Sequence, residues 1–518
     1  MIAQHGERTM PAGNSILIKE ATILTAADAA LQRSDILITN GRIAAIEAQG
    51  QFDGCAASAH VVNGRDKLVI PGLVNAHYHS HDVLSRGMFE DIPLELWIAL
   101  AILPPTRLLS AREVRLRTLL GAIECLRNGI TTVQDMVGCG PGAEQHVETI
   151  IAAYQEVGIR CVLSLQVGNR SAVDCLPGVR ESLPAHLLPL LANAASDVPR
   201  IIDFVAAPLA SPPRARLHWA IAPGSPQRCT FELLAGLAEL ANRYDLPVVT
   251  HVNESKLQVY LARDLYRHYG GSPLDYLDAA GLLNSGLCMA HCVWLNDEEI
   301  ARAAKANAAI VTNPVSNLKL KNGIAPLRKF RQAGIRLAIG CDNVSAGDAQ
   351  NVFEAMKLVC NLSAGKGTRP SGFSAVDAMA MATSGGAAIL GLGDAIGSIA
   401  VGKAADLVLI DLSEPAYLPL NNAVRQLVYS ESGRGVHTVI VDGAIVVDDR
   451  RMTTVDYAAL ASEAVELGEI YAADCRKHGE RLASAAPYIL DVVRRHGGQP
   501  LDFDRWLLAG DELAGEPG

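Results

Sequence analysis

The middle of this chain alternates between short apolar runs and longer stretches with helical periodicity. Eight apolar runs end in polar residues, and they begin at positions 72, 129, 159, 217, 246, 287, 308 and 335. Continuous apolar runs of this kind are typical of parallel strands that are buried on both faces and separated by helices. Eight such units predict an α/β fold, a (β/α)8 TIM-like barrel, over residues 71–394.

The two ends of the chain have a different pattern. Residues 14–70 and 395–452 contain short strands rich in Ile, Leu and Val, and Asn40-Gly41 is a hairpin signal. We therefore predict one small β-sandwich domain that both chain ends build together. Residues 453–518 form a helical extension in this prediction, with a loose tail at the end.

Composition and charge argue against a nucleic-acid-binding protein and against a membrane protein. Hydrophobic residues make up 49% of the 518 positions, and the net charge is −10. The negative charge argues against a nucleic-acid partner, because phosphate binding depends on clustered Lys and Arg. No run approaches the ~18 apolar residues of a membrane span, and the eleven irregularly spaced cysteines favour a reducing compartment. We expect a cytoplasmic enzyme with a small-molecule substrate and no membrane partner.

Histidines are concentrated at the end of the first apolar run. His77, His79 and His81 occupy alternate positions in the stretch PGLVNAHYHSH. Residues two apart on a strand project to the same side, so His77 and His79 are expected to point together. A His-x-His pair alone is a weak signal, since such pairs also occur as hydrogen-bonded core residues. His81 is expected to lie beyond the strand, in a structural role.

Three further runs carry polar residues at or near their ends, namely His251, His291 and Asp342. In a barrel of this type the C-terminal ends of the strands meet at one face, where catalytic groups gather. Imidazoles together with one carboxylate suit Zn²⁺, with Fe²⁺ as the alternative. The strand-end positions therefore predict a metal site rather than scattered core histidines.

Several motifs together resemble the amidohydrolase superfamily, in the branch of cytosine, guanine and S-adenosylhomocysteine deaminases and the atrazine-type triazine hydrolases. The resemblance spans roughly residues 14–450 and implies a barrel with a flanking β-sandwich, a mononuclear metal centre, and hydrolysis of a carbon–nitrogen or similar bond. The motifs that carry it are PGLVNAHYH, RG followed by PLELW, HVNE, AHCVWL, NPVSNLKLKNGIAP, GCDN and GSIAVGKAADLVLID.

The resemblance also implies roles for individual residues. Glu254 matches the proton-shuttling acid of the deaminases, although a carboxylate there could instead orient a metal-bound histidine. His291 matches a histidine that contacts the attacking water or the substrate, and Trp97 matches a tryptophan of a substrate-capping loop. The implied metal ligands are His77, His79, His251 and Asp342, and Asp342 is also expected to accept the proton of the water.

The absence of lysine from one part of the sequence favours a site for one metal ion over a site for two. No lysine occurs between Lys67 and Lys256, whereas two-metal barrel hydrolases of the hydantoinase and phosphotriesterase type bridge their ions with a modified lysine on the fourth strand. Gln166 and Arg228 lie near expected strand ends and are candidate substrate contacts. A loop salt bridge is the alternative for Arg228.

The sequence thus predicts a metal-dependent hydrolase that acts on a carbon–nitrogen bond other than a peptide bond. Deamination of a nitrogen heterocycle by a metal-activated water is favoured, since Glu254 supplies the proton transfer that deamination requires. A triazine chlorohydrolase or alkylaminohydrolase, or an amide or urea hydrolase, is the alternative on the same site. A homo-oligomer is also expected, with the C-terminal helices as the candidate contact.

Overall fold

The computed structural model describes residues 15–52, 59–101, 107–138, 143–192, 197–365 and 371–506. Its strands in chain order are β1 Ser15–Ile23, β2 Gln32–Thr39, β3 Arg42–Ala48, β4 His60–Asn63, β5 Lys67–Pro71, β6 Leu73–His79, β7 Ile130–Gly138, β8 Arg160–Val167, β9 Leu217–Trp219, β10 Ala222–Pro223, β11 Val248–Val252, β12 Leu287–His291, β13 Ala309–Thr312, β14 Arg336–Ile339, β15 Asp342–Asn343, β16 Leu407–Asp411, β17 Val436–Val441, β18 Ala444–Asp448 and β19 Arg451–Met452.

The helices lie mainly between the parallel strands and after the last strand. In chain order they are α1 Leu94–Ala101, α2 Ala111–Arg127, α3 Val147–Val157, α4 Val179–Ser182, α5 Leu188–Leu191, α6 Val198–Leu209, α7 Phe231–Tyr244, α8 Lys256–Leu265, α9 Pro273–Ala279, α10 Asp297–Lys305, α11 Pro314–Lys319, α12 Leu327–Gln332, α13 Val344–Gly347, α14 Val352–Ala364, α15 Ala375–Ala380, α16 Gly386–Ile389, α17 Ala423–Tyr429, α18 Tyr457–Leu482 and α19 Ala486–Gly497.

Each of the eight apolar runs contains at least one strand, and these strands are parallel. They form two sheets, one in the order β10-β8-β7-β6-β15 with β9 beside β8, and one in the order β11-β12-β13-β14. A single parallel bridge between Ile221 and Val248 joins the sheets on one side. The α/β class with parallel strands is confirmed, while the hydrogen bonds of the described residues do not form one closed sheet.

Strands from both chain ends share a third sheet, which we call the terminal sheet. Its order is β19-β18-β17-β16-β5-β1-β2-β3, with β4 also paired to β1. Asn40 and Gly41 both have positive φ between β2 and β3, as a type I′ hairpin turn requires. The joint contribution of both ends agrees with the prediction, but the described strands form one mixed sheet, so the two layers of a sandwich are not confirmed.

A buried ion pair joins the terminal sheet to the parallel strands. Arg160, at the start of β8, donates from Nε and Nη2 to the two carboxylate oxygens of Asp406, both at 2.9 Å. Asp406 also accepts the main-chain N–H of Asp442 at 2.8 Å. Both side chains of the pair are almost fully buried, so this bidentate contact fixes the sheet against the N-terminal ends of the parallel strands.

The described part of the C-terminal extension contains two helices, α18 and α19. Helix α18 begins at the N-cap Asp456, whose side chain accepts the N–H of Ala459, and it buries Leu467 and Tyr471 against the rest of the chain. The tyrosine hydroxyl lies 3.0 Å from the Ser85 hydroxyl. The tail at residues 507–518 lies outside the described residues. Within the described part, no helix is long and apolar enough to cross a membrane.

Candidate active site

Strand β6 delivers two histidines to the C-terminal edge of the parallel strands. Every residue of this strand is buried, and the alternation along it places the His77 and His79 rings on one side. Their Nε2 atoms lie 3.2 Å apart. Tyr78, between them, projects the other way, where its hydroxyl lies close to Gly121. The expected pairing of the two imidazoles is therefore present.

Asp342 lies beside these two histidines, although it belongs to the last of the eight apolar runs. Its strand β15 pairs with β6, with Asp342 opposite Tyr78 in register. This pairing brings the Asp342 Oδ1 atom 3.3 Å from the Nε2 atoms of both His77 and His79. Gln350 holds the Asp342 main chain by donating from Nε2 to its carbonyl oxygen at 3.0 Å.

His251 completes a group of four converging side chains. It lies on β11, and its Nε2 atom is 3.3 Å from Nε2 of His79. The two rings are nearly parallel, with centroids 5.3 Å apart. His251 keeps some exposure to solvent, while the other three side chains are buried. Solvent therefore reaches the group beside His251.

Main-chain carbonyls fix the orientation of two of these rings. Nδ1 of His79 donates to the Met136 carbonyl oxygen at 2.6 Å, and Nδ1 of His251 donates to the Gly224 carbonyl oxygen at 2.5 Å. With the proton held on Nδ1, each Nε2 presents its lone pair to the centre of the group. Two lone pairs facing each other at 3.3 Å repel unless a cation lies between them.

The spacing of the four atoms fits a tetrahedral metal ion. Ligand atoms at 2.0–2.1 Å from zinc in tetrahedral geometry stand about 3.3 Å apart. Of the six separations among these four atoms, the three that involve His79 and the one between His77 and Asp342 are 3.2–3.3 Å. The Asp342 Oδ1 atom is buried and has no hydrogen-bond partner among the described residues. A buried carboxylate oxygen without a partner is costly, and a bound cation removes that cost.

The charge states of the group agree with this arrangement. Burial lowers the pKa of His77 to about 4, and burial together with the neighbouring His77 ring lowers the pKa of His251 well below its ordinary value. Burial alone would raise the pKa of Asp342, but the surrounding imidazoles hold it well below the usual range. Burial alone would lower the pKa of His79, but the contact with Asp342 raises it. His77 and His251 are thus held neutral and Asp342 is held ionised, which are the forms that bind metals.

His291 stands slightly farther from the centre. Its Nε2 atom is 3.8 Å from Asp342 Oδ2, is buried, and has no hydrogen-bond partner among the described residues. Nδ1 donates to the Asn317 side-chain oxygen at 2.8 Å, which leaves Nε2 directed toward the group. Ligand atoms of His77, His251, His291 and Asp342 all lie within 4.8 Å of one another, while His79 has the shorter contacts.

The backbone is strained at two of these positions. His291 has φ 68° and Asp342 has φ 64°, a left-handed conformation that costs a non-glycine residue of order 1 kcal/mol or more. His291 ends β12, and Asp342 begins the short strand β15, three residues after the end of β14. Strain of this kind persists where the surrounding structure fixes a side chain in a required direction.

Glu254 lies next to His291 and outside the group of four. It follows β11 by two residues, and its Oε1 atom is 3.7 Å from Nδ1 of His291. Asn322 donates from Nδ2 to the same oxygen at 2.9 Å. Burial raises the pKa of Glu254 to about 7, so this carboxyl can both carry and release a proton near neutral pH.

The three candidate substrate contacts are more peripheral. Trp97 is buried on α1, where its Nε1 donates to the Ser345 hydroxyl at 3.0 Å. Gln166 is half-buried at the end of β8, next to Gly224. The Arg228 main-chain oxygen accepts the N–H of Asn169 at 2.9 Å, and no described carboxylate pairs with its guanidinium. In the described part, no hydrogen bond joins these three to the central side chains.

Several polar residues around the site were not singled out from the sequence. Asn317 and Asn322 belong to the stretch NPVSNLKLKNGIAP, and their amides contact His291 and Glu254. Glu95, within PLELW, is buried and accepts the Ser255 hydroxyl at 2.5 Å. Asparagines just after an expected strand end were a usable signal. The main-chain carbonyls that orient His79 and His251 could not be predicted, because any residue type supplies a carbonyl.

Comparison with known proteins agrees with this geometry. The amidohydrolase family profile matches residues 68–446. The chain is 33% identical to 5-methylthioadenosine/S-adenosylhomocysteine deaminase of Pyrococcus furiosus, over 85% of this chain and 97% of the relative. It is 34% identical to 5'-deoxyadenosine deaminase of Methanothermobacter thermautotrophicus, over 89% of this chain and 98% of the relative.

A solved structure is similar as well. An adenosine deaminase from Xanthomonas campestris with bound zinc superposes with a TM-score of 0.72 at 27% identity, and the match covers 88% of this chain and 98% of that chain. The chain belongs to the amidohydrolase family. The predictions of this family and of a metal-dependent hydrolase are thereby confirmed.

Proposed function

We propose that this enzyme removes the exocyclic amino group of an adenine nucleoside derivative by hydrolysis. The observation that carries the proposal is the group of three imidazole nitrogens and one carboxylate oxygen, in which the other three atoms lie 3.2–3.3 Å from His79 Nε2, with the Glu254 carboxyl beside the group. The two deaminases described above, which act on adenosine derivatives by name, match nearly their whole length to this chain. Their similarity supports the substrate class.

His77, His79, His251 and Asp342 would hold a single divalent metal ion. The separations of their ligand atoms support this set, and the longer contact of His291 to Asp342 supports leaving His291 outside it. When bound, the metal supplies a water activated for attack at neutral pH. Zn²⁺ suits three imidazoles and one carboxylate, and Fe²⁺ is the alternative with the same ligand types.

Glu254 would move the proton that deamination needs. With a pKa near 7 it holds a proton before the reaction and gives it to a ring nitrogen beside the reacting carbon. The carbon then accepts the oxygen of water, and its bond to the amino nitrogen breaks. One water is consumed and a carbonyl replaces the amino group. One proton of the water restores the Glu254 carboxyl, and the other leaves with the ammonia.

Asp342 and His291 would handle the water. Asp342 would accept a proton from the attacking water through Oδ2, the oxygen that faces His291, because its surroundings keep the carboxylate ionised. His291 would offer Nε2 as an acceptor, because Asn317 holds a proton on Nδ1. A hydrogen bond from the water or the substrate amino group to this nitrogen orients the reacting atoms.

Trp97, Gln166 and Arg228 would border the substrate. The Trp97 ring is fixed by Ser345, and this rigidity suits a wall against a flat heterocycle. Gln166 stands beside Gly224, whose carbonyl positions His251, so its amide lies near the open side of the pocket. Arg228 has no described ionic partner, which suits a contact with a polar substituent of the substrate.

We further propose that residues 71–394 form a (β/α)8 barrel and that residues 14–70 with 395–452 form a separate β domain. The bridge between Ile221 and Val248 and the pairing of β15 with β6 support closure of the ring. A core of its own, shared by strands from both chain ends, supports the β domain. Residues 453–518 form the extension, and a homo-oligomer stays a prediction.

Ammonia release on protein of measured metal content tests the proposed activity. The substrate panel contains adenosine, 5'-deoxyadenosine, methylthioadenosine, S-adenosylhomocysteine, guanine, cytosine and aminotriazines. We expect the highest kcat/KM with an adenine nucleoside. Turnover of a chlorinated triazine with chloride release and no ammonia from any nucleoside would contradict the proposal and favour the triazine alternative.

A further inference from the structure

The last described residues, 497–506, run from the end of α19 across the loops that surround Glu254. We call this segment the C-terminal arm. It contains no helix or strand beyond residue 497, and it lies outside residues 68–446, which the family profile matches. Its contacts are therefore a property of this chain that the family match does not cover.

The arm first contacts α8, the helix that begins two residues after Glu254. Lys256 donates from Nζ to the Gly497 carbonyl oxygen at 2.7 Å, and the Tyr260 hydroxyl donates to the Gln499 carbonyl oxygen at 2.9 Å. Both contacts join side chains of α8 to carbonyls of the arm. The arm is thereby held against the helix that follows the catalytic carboxyl.

Arg505 then connects the arm to the loop after β12, the strand that ends in His291. Its Nε donates to the Val293 carbonyl oxygen at 3.0 Å, and its Nη2 donates to the Leu295 carbonyl oxygen at 2.9 Å. Arg505 is 9% exposed. Burying a guanidinium is costly unless its N–H groups are hydrogen-bonded. Here two of them donate to two carbonyl oxygens of one loop, and the planar guanidinium fixes the spacing of these oxygens.

The same residue contacts the loop after α11. The Arg505 carbonyl oxygen accepts the N–H of Ile324 at 2.7 Å, and a Cβ on Gly323 would meet that oxygen at 2.7 Å. The backbone of the arm and this loop are thus in close contact. Arg505 therefore binds two separate loops, one through its side chain and one through its main chain.

One of these loops contacts the Glu254 carboxyl directly, and the other contacts it through Trp294. This residue lies between the two carbonyls bound by Arg505, and it donates from Nε1 to the Asn322 carbonyl oxygen at 2.6 Å. Asn322 donates from Nδ2 to Glu254 Oε1 at 2.9 Å. Trp506 packs edge-on against Trp294, with ring centroids 5.4 Å apart. A continuous path of contacts runs from Arg505 through Trp294 and Asn322 to Glu254.

We propose that Arg505 is a positioning residue for Glu254, acting from the C-terminal arm through the Trp294–Asn322 contact. The proposal rests on the proposed role of Glu254 as proton carrier. Loss of the guanidinium frees the loop at residues 293–295 and lets Asn322 shift. A displacement of about 1 Å at a catalytic group costs up to about 100-fold in rate.

The test compares kcat, KM, metal content and thermal unfolding of full-length variants. Arg505→Ala is expected to lower kcat by about 10- to 100-fold, with KM and metal content changed less than about twofold. Arg505→Lys keeps the charge but offers only one nitrogen as a donor. Its kcat should therefore lie between that of the wild type and that of Arg505→Ala. Arg494→Ala, an exposed arginine of α19, is the matched control and should keep wild-type kcat.

The same substitution in a Glu254→Gln background separates positioning from general damage. If Arg505 acts through Glu254, Arg505→Ala lowers the residual kcat of Glu254→Gln by less than about twofold, because coupled residues are not additive. An equal loss in both backgrounds, or an unchanged kcat in Arg505→Ala, overturns the proposal.

A third variant covers the case in which Arg505→Ala does not fold. Trp506→Ala removes the ring packed on Trp294 and leaves the guanidinium in place, and it should lower kcat in the wild-type background only. A wild-type kcat in Glu254→Gln would overturn the proposed function itself. That outcome is distinct from a failure of the positioning role alone.

Discussion

The imidazole rings of His79 and His251 lie 8° from parallel, with their Nε2 atoms 3.3 Å apart, although 172 residues separate them in the sequence. Each ring donates from Nδ1 to a main-chain carbonyl, so two buried lone pairs point at a common centre. This arrangement is unfavourable without a cation and favourable with one. Metal binding and stability of the protein are therefore linked at this pair.

Removal of the metal should abolish activity and lower stability. A ligand that binds only the folded state contributes about 4 kcal/mol at a thousandfold excess over Kd, so chelation should lower Tm measurably. Adding Zn²⁺ or Fe²⁺ to the chelated protein should restore both Tm and ammonia release. The measurements are differential scanning fluorimetry, metal analysis and ammonia release, and metal analysis of the native protein identifies the ion.

His79→Ala should lose the metal without unfolding the protein. Its Nε2 atom is close to three other ligand atoms, and loss of a ligand weakens binding more than the 10- to 100-fold typical of an outer partner. His437→Ala, in the terminal sheet, is the control and should keep its metal. Wild-type metal affinity in His79→Ala would contradict the assignment of this residue.

Glu254→Gln should keep the metal and lose most turnover. The amide fills the same volume but cannot donate the carboxyl proton, and general acid–base catalysis supplies about 10²- to 10⁴-fold. Glu298→Gln, an exposed position in the first turn of α10, provides the same chemical change away from the site and should be neutral. Loss of metal in Glu254→Gln would indicate that the carboxyl orients a ligand instead.

Asn322→Ala should move the alkaline limb of the pH profile. Glu254 donates its proton first, so kcat/KM falls as pH rises through the pKa of this carboxyl. Burial raises that pKa and the Asn322 hydrogen bond lowers it. Removing the bond raises the pKa further, and the decline should shift to higher pH. Asn361→Ala, an exposed position on α14, is the control, and an unmoved limb in Asn322→Ala would refute the expectation.

Gly340→Ala should disturb the metal site directly. A Cβ at this position would lie 2.3 Å from Asn313 Oδ1 and 2.7 Å from His77 Cβ, so His77 has to shift. Overpacking of this kind costs about 1–3 kcal/mol, and the metal content should fall with it. At Gly468, within α18, nothing lies within 4 Å of an added Cβ, so Gly468→Ala should stabilise by about 0.5–1 kcal/mol. Chemical denaturation and metal analysis measure both.

Asp406→Ala should reduce stability and leave kcat intact. The substitution leaves the Arg160 guanidinium buried without its carboxylate, which costs about 3–5 kcal/mol. The pair stands at the N-terminal ends of the parallel strands, opposite the proposed metal ligands. Asp174→Ala removes an ion pair with Arg180 whose side chains are about half exposed, and it should change stability by about 1 kcal/mol at most. Equal losses in the two variants would contradict this account.

The sequence predicted the parallel strands because their apolar runs are continuous. It also predicted the convergence of His79, His251 and Asp342, because each stands at a strand end and parallel strands end on one face. The roles of these side chains stay predictions until the variants above are measured. The Asn40-Gly41 turn was predictable from two residues, since this pair is strongly preferred where both central residues of a hairpin turn need positive φ.

Other features depend on contacts that side-chain identities do not encode. The carbonyls of Met136 and Gly224 orient the histidines through the main chain, so no residue type signals them. Arg505 binds carbonyls 210 and 212 residues away along the chain. The residues next to it in the sequence do not distinguish it from a surface arginine. The single terminal sheet, in place of two layers, follows from the pairing of β5 with β16, which local patterns do not specify.

That pairing has a consequence for how the protein is made. Strand β5 is hydrogen-bonded to β1 on one side and to β16 on the other. More than three hundred residues separate β5 from β16 along the chain. While the ribosome is still translating the middle of the message, the edge of β5 therefore has no partner, and the nascent chain carries an open sheet edge until residues 407–411 emerge.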